Sequence, residues 1–134
     1  MSHGGVEYLL YGGESPQNRH AFERYLQDVQ RGKSLLQLQA VAADLTPELR
    51  AHWSPRSFTP IVTSAGRFDE VVCNVSYHFH KHGQKYGNIR QMTQVALRAL
   101  QQHRHEGRVR ADGLLQLPDG SLFELDGRIV TFVS

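Results

Sequence analysis

Residues 109–133 read VRADGLLQLPDGSLFELDGRIVTFV. Three Asp-Gly pairs, Asp112-Gly113, Asp119-Gly120 and Asp126-Gly127, each stand between β-prone runs. Asp-Gly between such runs is a strong hairpin signal. The stretch predicts an antiparallel meander that runs to the C-terminal end. The chain before it has a different texture.

Working back from the meander, Asn88 can cap a helix whose buried stripe is Ile89, Met92, Val95, Ala96, Ala99 and Leu100, with Gly107 as its stop. Residues 68–82 read two ways. As a strand, Cys73, Val75, Tyr77 and Phe79 alternate, and three histidines share the other face. As a helix, Val72, Val75 and Phe79 form an apolar stripe, and His78, Lys81, His82 and Lys85 fall on one polar face. Asp69 and Glu70 would then sit in the first turn, where the helix dipole favours acids. The helix is the preferred reading, ending or bending at Gly83.

Further back, SFTPIVTS (57–64) is β-prone, with Pro60 restricting it to an edge or a strand start. Residues 15–54 read as mainly helical. Ser15-Pro16 opens one helix, followed by Ala21, Phe22, Tyr25, Leu26 and Val29 at helical spacing and a stop at Gly32. Thr46-Pro47-Glu48 opens another that runs towards Trp53 and ends before Pro55. LLQLQAVAA (35–43) fits either a strand or a helix. The expected class is α+β, with N-terminal helices packed with a small C-terminal antiparallel sheet. One domain spans 1–134, with 1–56 mainly helical and 57–134 a catalytic α+β part.

A chain of 134 residues can bury one real core. No apolar run is long enough for a membrane helix, and MSHGGVEYLLYGG lacks the pattern of a secretory signal. The single cysteine, Cys73, excludes an internal disulfide and a cysteine-rich zinc site. No 20–50-residue repeat is present. The net charge is only +2, but between His78 and Arg110 seven basic residues (Lys81, Lys85, Arg90, Arg98, Arg104, Arg108, Arg110) face one acid, Glu106. Such a block suits a polyanion such as RNA, or a solvated helix face.

Residues 77–87, YHFHKHGQKYG, hold the densest chemistry in the chain: His78, His80 and His82, with Lys81 between the last two. Three readings compete. Alternate histidines can ligate a metal, but no acidic ligand is near in sequence and two lysines oppose a dication. At i, i+4, His78 and His82 match the spacing of HExxH, yet Phe79 stands where the base should be. The bland reading is surface or hydrogen-bonded histidines, which also suits His3, His20, His52, His103 and His105. The third is metal-free acid–base catalysis on a phosphodiester. A neutral imidazole takes a proton from a ribose 2′-hydroxyl, and cations stabilise the phosphoryl oxygens. Neighbouring lysines would lower the imidazole pKa and keep that base neutral.

The run His78-Phe79-His80-Lys81-His82-Gly83, followed by a helix and a meander ending Gly127-Arg128-Ile129-Val130-Thr131-Phe132, resembles the toxin domains of the barnase–EndoU–colicin–RelE group. The likeness covers roughly 68–134. It implies an α+β fold, metal-independent RNA cleavage, commonly of tRNA, to a 2′,3′-cyclic phosphate, and a cognate immunity protein as partner. Carried over by position, it makes His82 the general base or acid and Lys81 the phosphate-stabilising cation. His78 would assist, and Thr131 would hydrogen-bond phosphate. Arg108 or Arg110 would clamp the scissile phosphate bidentately, with Lys85 and Tyr86 also binding substrate. The aromatic often found just past the last threonine is replaced by Val133-Ser134, so an active-site tyrosine would be Tyr77 or Tyr86. His80 has no assigned role.

The expected function is a metal-independent endoribonuclease, a bacterial toxin domain acting in a target cell's cytoplasm with no cofactor. The alternatives are a non-catalytic RNA- or protein-binding module and a histidine-ligated metallohydrolase.

Overall fold

The computed structural model describes residues 2–3, 6–7, 23–25, 27–29, 32, 35–56, 58–64 and 66–133. The Asp-Gly turns lay out its main sheet. Strands β5 (Arg108–Val109), β6 (Leu115–Gln116), β7 (Leu122–Phe123) and β8 (Ile129–Thr131) pair antiparallel in chain order. All three turns are built alike. The Asp112, Asp119 and Asp126 carboxylates accept the backbone N–H two residues on, at 3.2, 2.8 and 3.0 Å. Gly113, Gly120 and Gly127 hold φ of 86°, 96° and 99°, which only glycine takes without strain. One strand-and-turn unit therefore recurs every seven residues, a period shorter than the repeats sought in the sequence.

The sheet has two apolar faces. Leu115, Phe123 and Ile129 join the main core, while Leu114, Leu122 and Val130 form a small separate cluster. The main core runs from Tyr25 to Phe132 and so includes both halves of the chain.

The preferred helix over 68–82 is present as α4 (Glu70–Lys81). Asp69 caps it by accepting from Val72 N–H at 3.0 Å, and Arg50 pairs with the same carboxylate at 2.9 Å. The expected polar face of α4 needs correction. Every residue from Val72 to His78 is buried, because α4 is a central helix packed against α2 (Leu35–Asp44) and α5 (Ile89–His103). A helix covered on all sides must satisfy its polar side chains internally. Asn74 donates to the carbonyls of Ser54 (2.9 Å) and Ile129 (3.4 Å), although its own Oδ1 has no partner among the described residues, and the Ser76 and Tyr25 hydroxyls lie 2.6 Å apart.

Asn88 caps α5 by accepting from Gln91 N–H at 2.8 Å, and its buried face includes Met92, Ala96 and Leu100. Between α4 and α5 a 3₁₀ turn spans Gly83–Tyr86. Gly83 is there for space. A Cβ on it would meet Phe79 Cδ1 at 2.2 Å and Met92 Sδ at 2.8 Å.

In the N-terminal half, α1 is described at residues 23–25 and 27–29, with Tyr25 and Val29 buried. Ser15-Pro16, Ala21, Phe22 and Leu26 lie outside the described residues. The ambiguous run is helix α2: Leu38 and Val41 are buried while Leu36 is 77% exposed, which fits helical spacing and not alternation. Thr46 caps α3 (Pro47–Arg50), but α3 stops short of Trp53. Residues 52–54 lie instead along β8. Ser54 N–H donates to the Ile129 carbonyl and Ile129 N–H to the His52 carbonyl, both at 2.8 Å. Trp53 is buried, and its indole N–H donates to Thr93 at 3.0 Å. Arg56 then locks this segment to the meander with a forked pair onto Glu124 (3.1 and 3.0 Å) and a bond to the Asp112 carbonyl (2.9 Å).

The β-prone piece after Pro60 is β3 (Ile61–Thr63), paired with β4 (Gly66–Phe68). A further pair, β1 (Ser2–His3) with β2 (Val6–Glu7), had no counterpart in the sequence reading. Helices packed with a small antiparallel C-terminal sheet make the fold α+β, as expected.

Candidate active site at the end of helix α4

The last turn of α4 and the end of β8 enclose a pocket of about 70 Å³. Tyr77, His78, Lys81 and His82 line it from the helix, and Thr131, Phe132 and Val133 from the strand. Four of the expected catalytic residues, His78, Lys81, His82 and Thr131, thus meet across a separation of about fifty positions. The meander explains this meeting. β8 lies against residues 52–54 and under Asn74 of α4, so its final residues emerge beside the end of that helix.

The two imidazoles differ in setting. His78 is only 3% exposed and is ringed by Trp53, Phe58 and Tyr77, with ring centroids 6.0, 6.2 and 5.1 Å away. Its Nδ1 lies 2.9 Å from the Asn74 carbonyl. A carbonyl can only accept, so Nδ1 carries the proton and Nε2 the lone pair. Burial pushes the His78 pKa down to about 3, with the His82 ring and the Lys81 charge adding to it; the Asn74 bond opposes this. His78 is a neutral ring at the back of the pocket.

His82, the residue after α4, is half-buried and stacks on His78 at 6.3 Å with 22° between planes. Phe132 meets it edge-on at 6.2 Å. Burial is the largest cause holding its pKa down at about 4, with Lys81 and then Lys85 adding to it. The expected direction is correct, but desolvation outweighs the lysines. Among the described residues neither the His82 ring nor the Thr131 hydroxyl makes a hydrogen bond, so both are left to the pocket. The pocket is lined by a neutral imidazole, a hydroxyl and Lys81, whose Nζ lies 5.7 Å from the Tyr77 ring centroid.

Other expected site residues do not line this pocket. Lys85 and Tyr86 lie just beyond it on the 3₁₀ turn. Lys85 Nζ stands 5.2 Å over the Tyr86 ring, which in turn packs on Phe132 at 6.2 Å. The expected arginine clamp is not formed at His82. Arg108 is exposed on β5, three strands from β8, or about 14 Å across the sheet. Arg110 pairs with Asp112 at 2.9 Å in the first hairpin, whose turn lies at the opposite end of the sheet from Thr131.

The basic block of 78–110 is likewise dispersed. Arg90 pairs with Glu48 at 3.5 Å, Arg104 donates to the Leu125 carbonyl at 2.7 Å, and Arg98 is exposed on α5. His80 points away from the pocket, its ring 5.1 Å from Tyr25. Phe132 and Val133 are the liners that sequence reasoning missed. Their signal was position alone, next to Thr131 on a strand end.

A larger cavity of about 230 Å³ lies between the end of α5 and the β6–β7 turn, lined by His103, Glu106, Leu117, Pro118 and Asp119. His103 there is held 2.6 Å from Glu106, and two carboxylates make the cavity unwelcoming to phosphate. Among the described residues no three His, Cys, Asp or Glu side chains converge as a metal-ligand set. No protein-family model, curated protein or solved structure matches this chain.

Proposed function

We propose that the protein is a metal-independent endoribonuclease, of the toxin-domain kind that its sequence resembles, with the pocket at His82 as its active site. One observation carries the reading: His78, Lys81 and His82 from α4 meet Thr131 from the last strand around a single open pocket. In this reading neutral His82 takes the proton of a ribose 2′-hydroxyl. The 2′-oxygen attacks phosphorus, and the bond to the 5′-oxygen breaks. Lys81 and Thr131 bind the phosphoryl oxygens, and Lys81 supplies a proton to the departing oxygen. The products are a 2′,3′-cyclic phosphate and a 5′-hydroxyl. The phosphodiester charge opposes that of Lys81 and Lys85, so substrate binding itself raises the His82 pKa from its depressed value.

The test is cleavage of total RNA in EDTA, with end-group analysis. His82→Ala is expected to lose at least about a hundredfold in rate while still binding RNA. Wild-type turnover by the variant would refute the assignment. A second reading, an RNA- or protein-binding module, is favoured by the burial of His78, which leaves no protonated imidazole to act as acid. Binding without cleavage by the intact protein would establish it. The toxin context and a cognate immunity protein are tested by expression in a bacterial cytoplasm. Growth arrest that a co-expressed partner relieves is the expected result.

A further inference from the structure

We infer that Asn74 is a positioning residue: its buried amide ties α4 to β8 and so sets where Thr131 stands against Lys81 and His82. Its part in catalysis rests on the ribonuclease reading; the tie itself does not.

The tie sits on the helix face that lines the pocket. Tyr77, His78, Lys81 and His82, the residues that the end of α4 gives to the pocket, stand three, four, seven and eight positions after Asn74. At about 3.6 residues per turn they share one stripe with it. On the other side, the Asn74 amide donates to the carbonyl of Ile129, two residues before Thr131 on β8, at 3.4 Å, and to that of Ser54 at 2.9 Å. Ser54 N–H in turn donates to the Ile129 carbonyl at 2.8 Å. One carboxamide therefore closes a three-way junction of α4, β8 and the segment at 52–54. From this junction the pocket is about two turns along the helix and about 7 Å along the strand.

The amide is also kept at a cost. Asn74 is fully buried, and its Oδ1 has no hydrogen-bond partner among the described residues. An orphaned buried carbonyl lowers stability, and asparagine is a weak helix former. Packing alone would be served by an apolar residue, such as Val72, Cys73 and Val75 nearby. What asparagine adds is a donor that reaches both carbonyls. Its main-chain carbonyl meanwhile receives the His78 Nδ1 proton at 2.9 Å, so the same residue holds the ring on which His82 stacks.

The test compares Asn74→Ser with Val75→Ala. Serine is too short to reach either carbonyl, and its hydroxyl can bond the carbonyl four residues back, which keeps the helix. Val75→Ala removes buried bulk beside it and leaves every Asn74 bond in place. Urea unfolding selects conditions in which both variants are folded. On RNA, Asn74→Ser is expected to lose roughly 10- to 100-fold in kcat with KM changed less than about threefold, and Val75→Ala to stay within about twofold of wild type. In a Thr131→Val background the further loss from Asn74→Ser should shrink below about threefold, because the group it places is gone. Equal losses in the two single variants, or an undiminished loss in the Thr131→Val background, would overturn the inference and leave the ribonuclease reading standing.

Two NMR readouts need no activity. In wild type the Asn74 side-chain amide protons should exchange as slowly as the core amides of α4, and rapid exchange would refute the tie even if Asn74→Ser does not fold. The Thr131 methyl and His82 ring resonances should move in Asn74→Ser and hold in Val75→Ala; unmoved resonances in Asn74→Ser would refute it as well. If wild type cleaves no RNA, the catalytic part falls with the ribonuclease reading, and these two readouts still judge the tie.

Discussion

His78 should make the protein sensitive to acid well above the range where carboxylates titrate. Its ring is 3% exposed and faces three aromatic rings, the His82 imidazole and the Lys81 side chain. The folded pKa is about 3, against an ordinary value of 6.5. The unfolded chain therefore binds a proton below about pH 6.5 that the folded chain refuses. Stability is full above that pH and is lost as pH falls from there towards 3. Each pH unit in that window costs about 1.4 kcal/mol. Between pH 7 and pH 5 the loss is about 2 kcal/mol, because the folded ring stays neutral throughout and only the unfolded ring titrates. For a domain of this size that is a fall in Tm of roughly 5–10 °C. Urea unfolding of wild type and His78→Gln at both pH values is the assay. The wild type should lose about 2 kcal/mol more than the variant over this interval, at constant m-value. Parallel pH dependences, or an imidazole resonance of His78 that titrates near pH 6.5 in the folded protein, would refute the reasoning.

Two further outcomes follow from the geometry. Gly83→Ala places a methyl 2.2 Å from Phe79 and 2.8 Å from Met92, so it should destabilise by about 1–3 kcal/mol in urea unfolding; an unchanged midpoint would show that the turn has slack. Lys81→Ala should weaken single-strand RNA binding and reduce the slope of log K against log salt by about 0.7, whereas Arg98→Ala should leave the slope unchanged, as measured by fluorescence anisotropy across a salt series.

The fold was legible where local chemistry decides it. Asp112-Gly113, Asp119-Gly120 and Asp126-Gly127 each carry their turn within four residues, and Asn88 and Thr46 each satisfy a backbone N–H of their own helix; Asp69, expected in the first turn of α4, is its cap instead. Tertiary partners were not legible. Nothing near Trp53 announces that β8, some seventy-five residues later, will draw it out of a helix. The site was half legible for the same reason. Lys81, His82 and Thr131 lie at the ends of elements whose type could be read, and they meet. The arginines were grouped by nearness in sequence, yet Arg90, Arg104 and Arg110 are each drawn to a separate local acceptor. A run of like charge says how much charge a segment carries and not which way each side chain faces.

The placement of α4 lets one helix belong to the core and, at its end, line the pocket. Seven consecutive buried residues, Val72 to His78, fix its rotation and height. An end held in this way fixes where the side chains of Lys81 and His82 leave the backbone beside the pocket. Gly83 then lets the chain turn over Phe79 and Met92, where a Cβ would meet both side chains. His78 belongs to the anchoring part, and its stacked ring supports His82 from below at 6.3 Å. The two histidines of the HxxKHG run are thus unequal: the inner one is part of the buried core, and the outer one is the more open to the pocket.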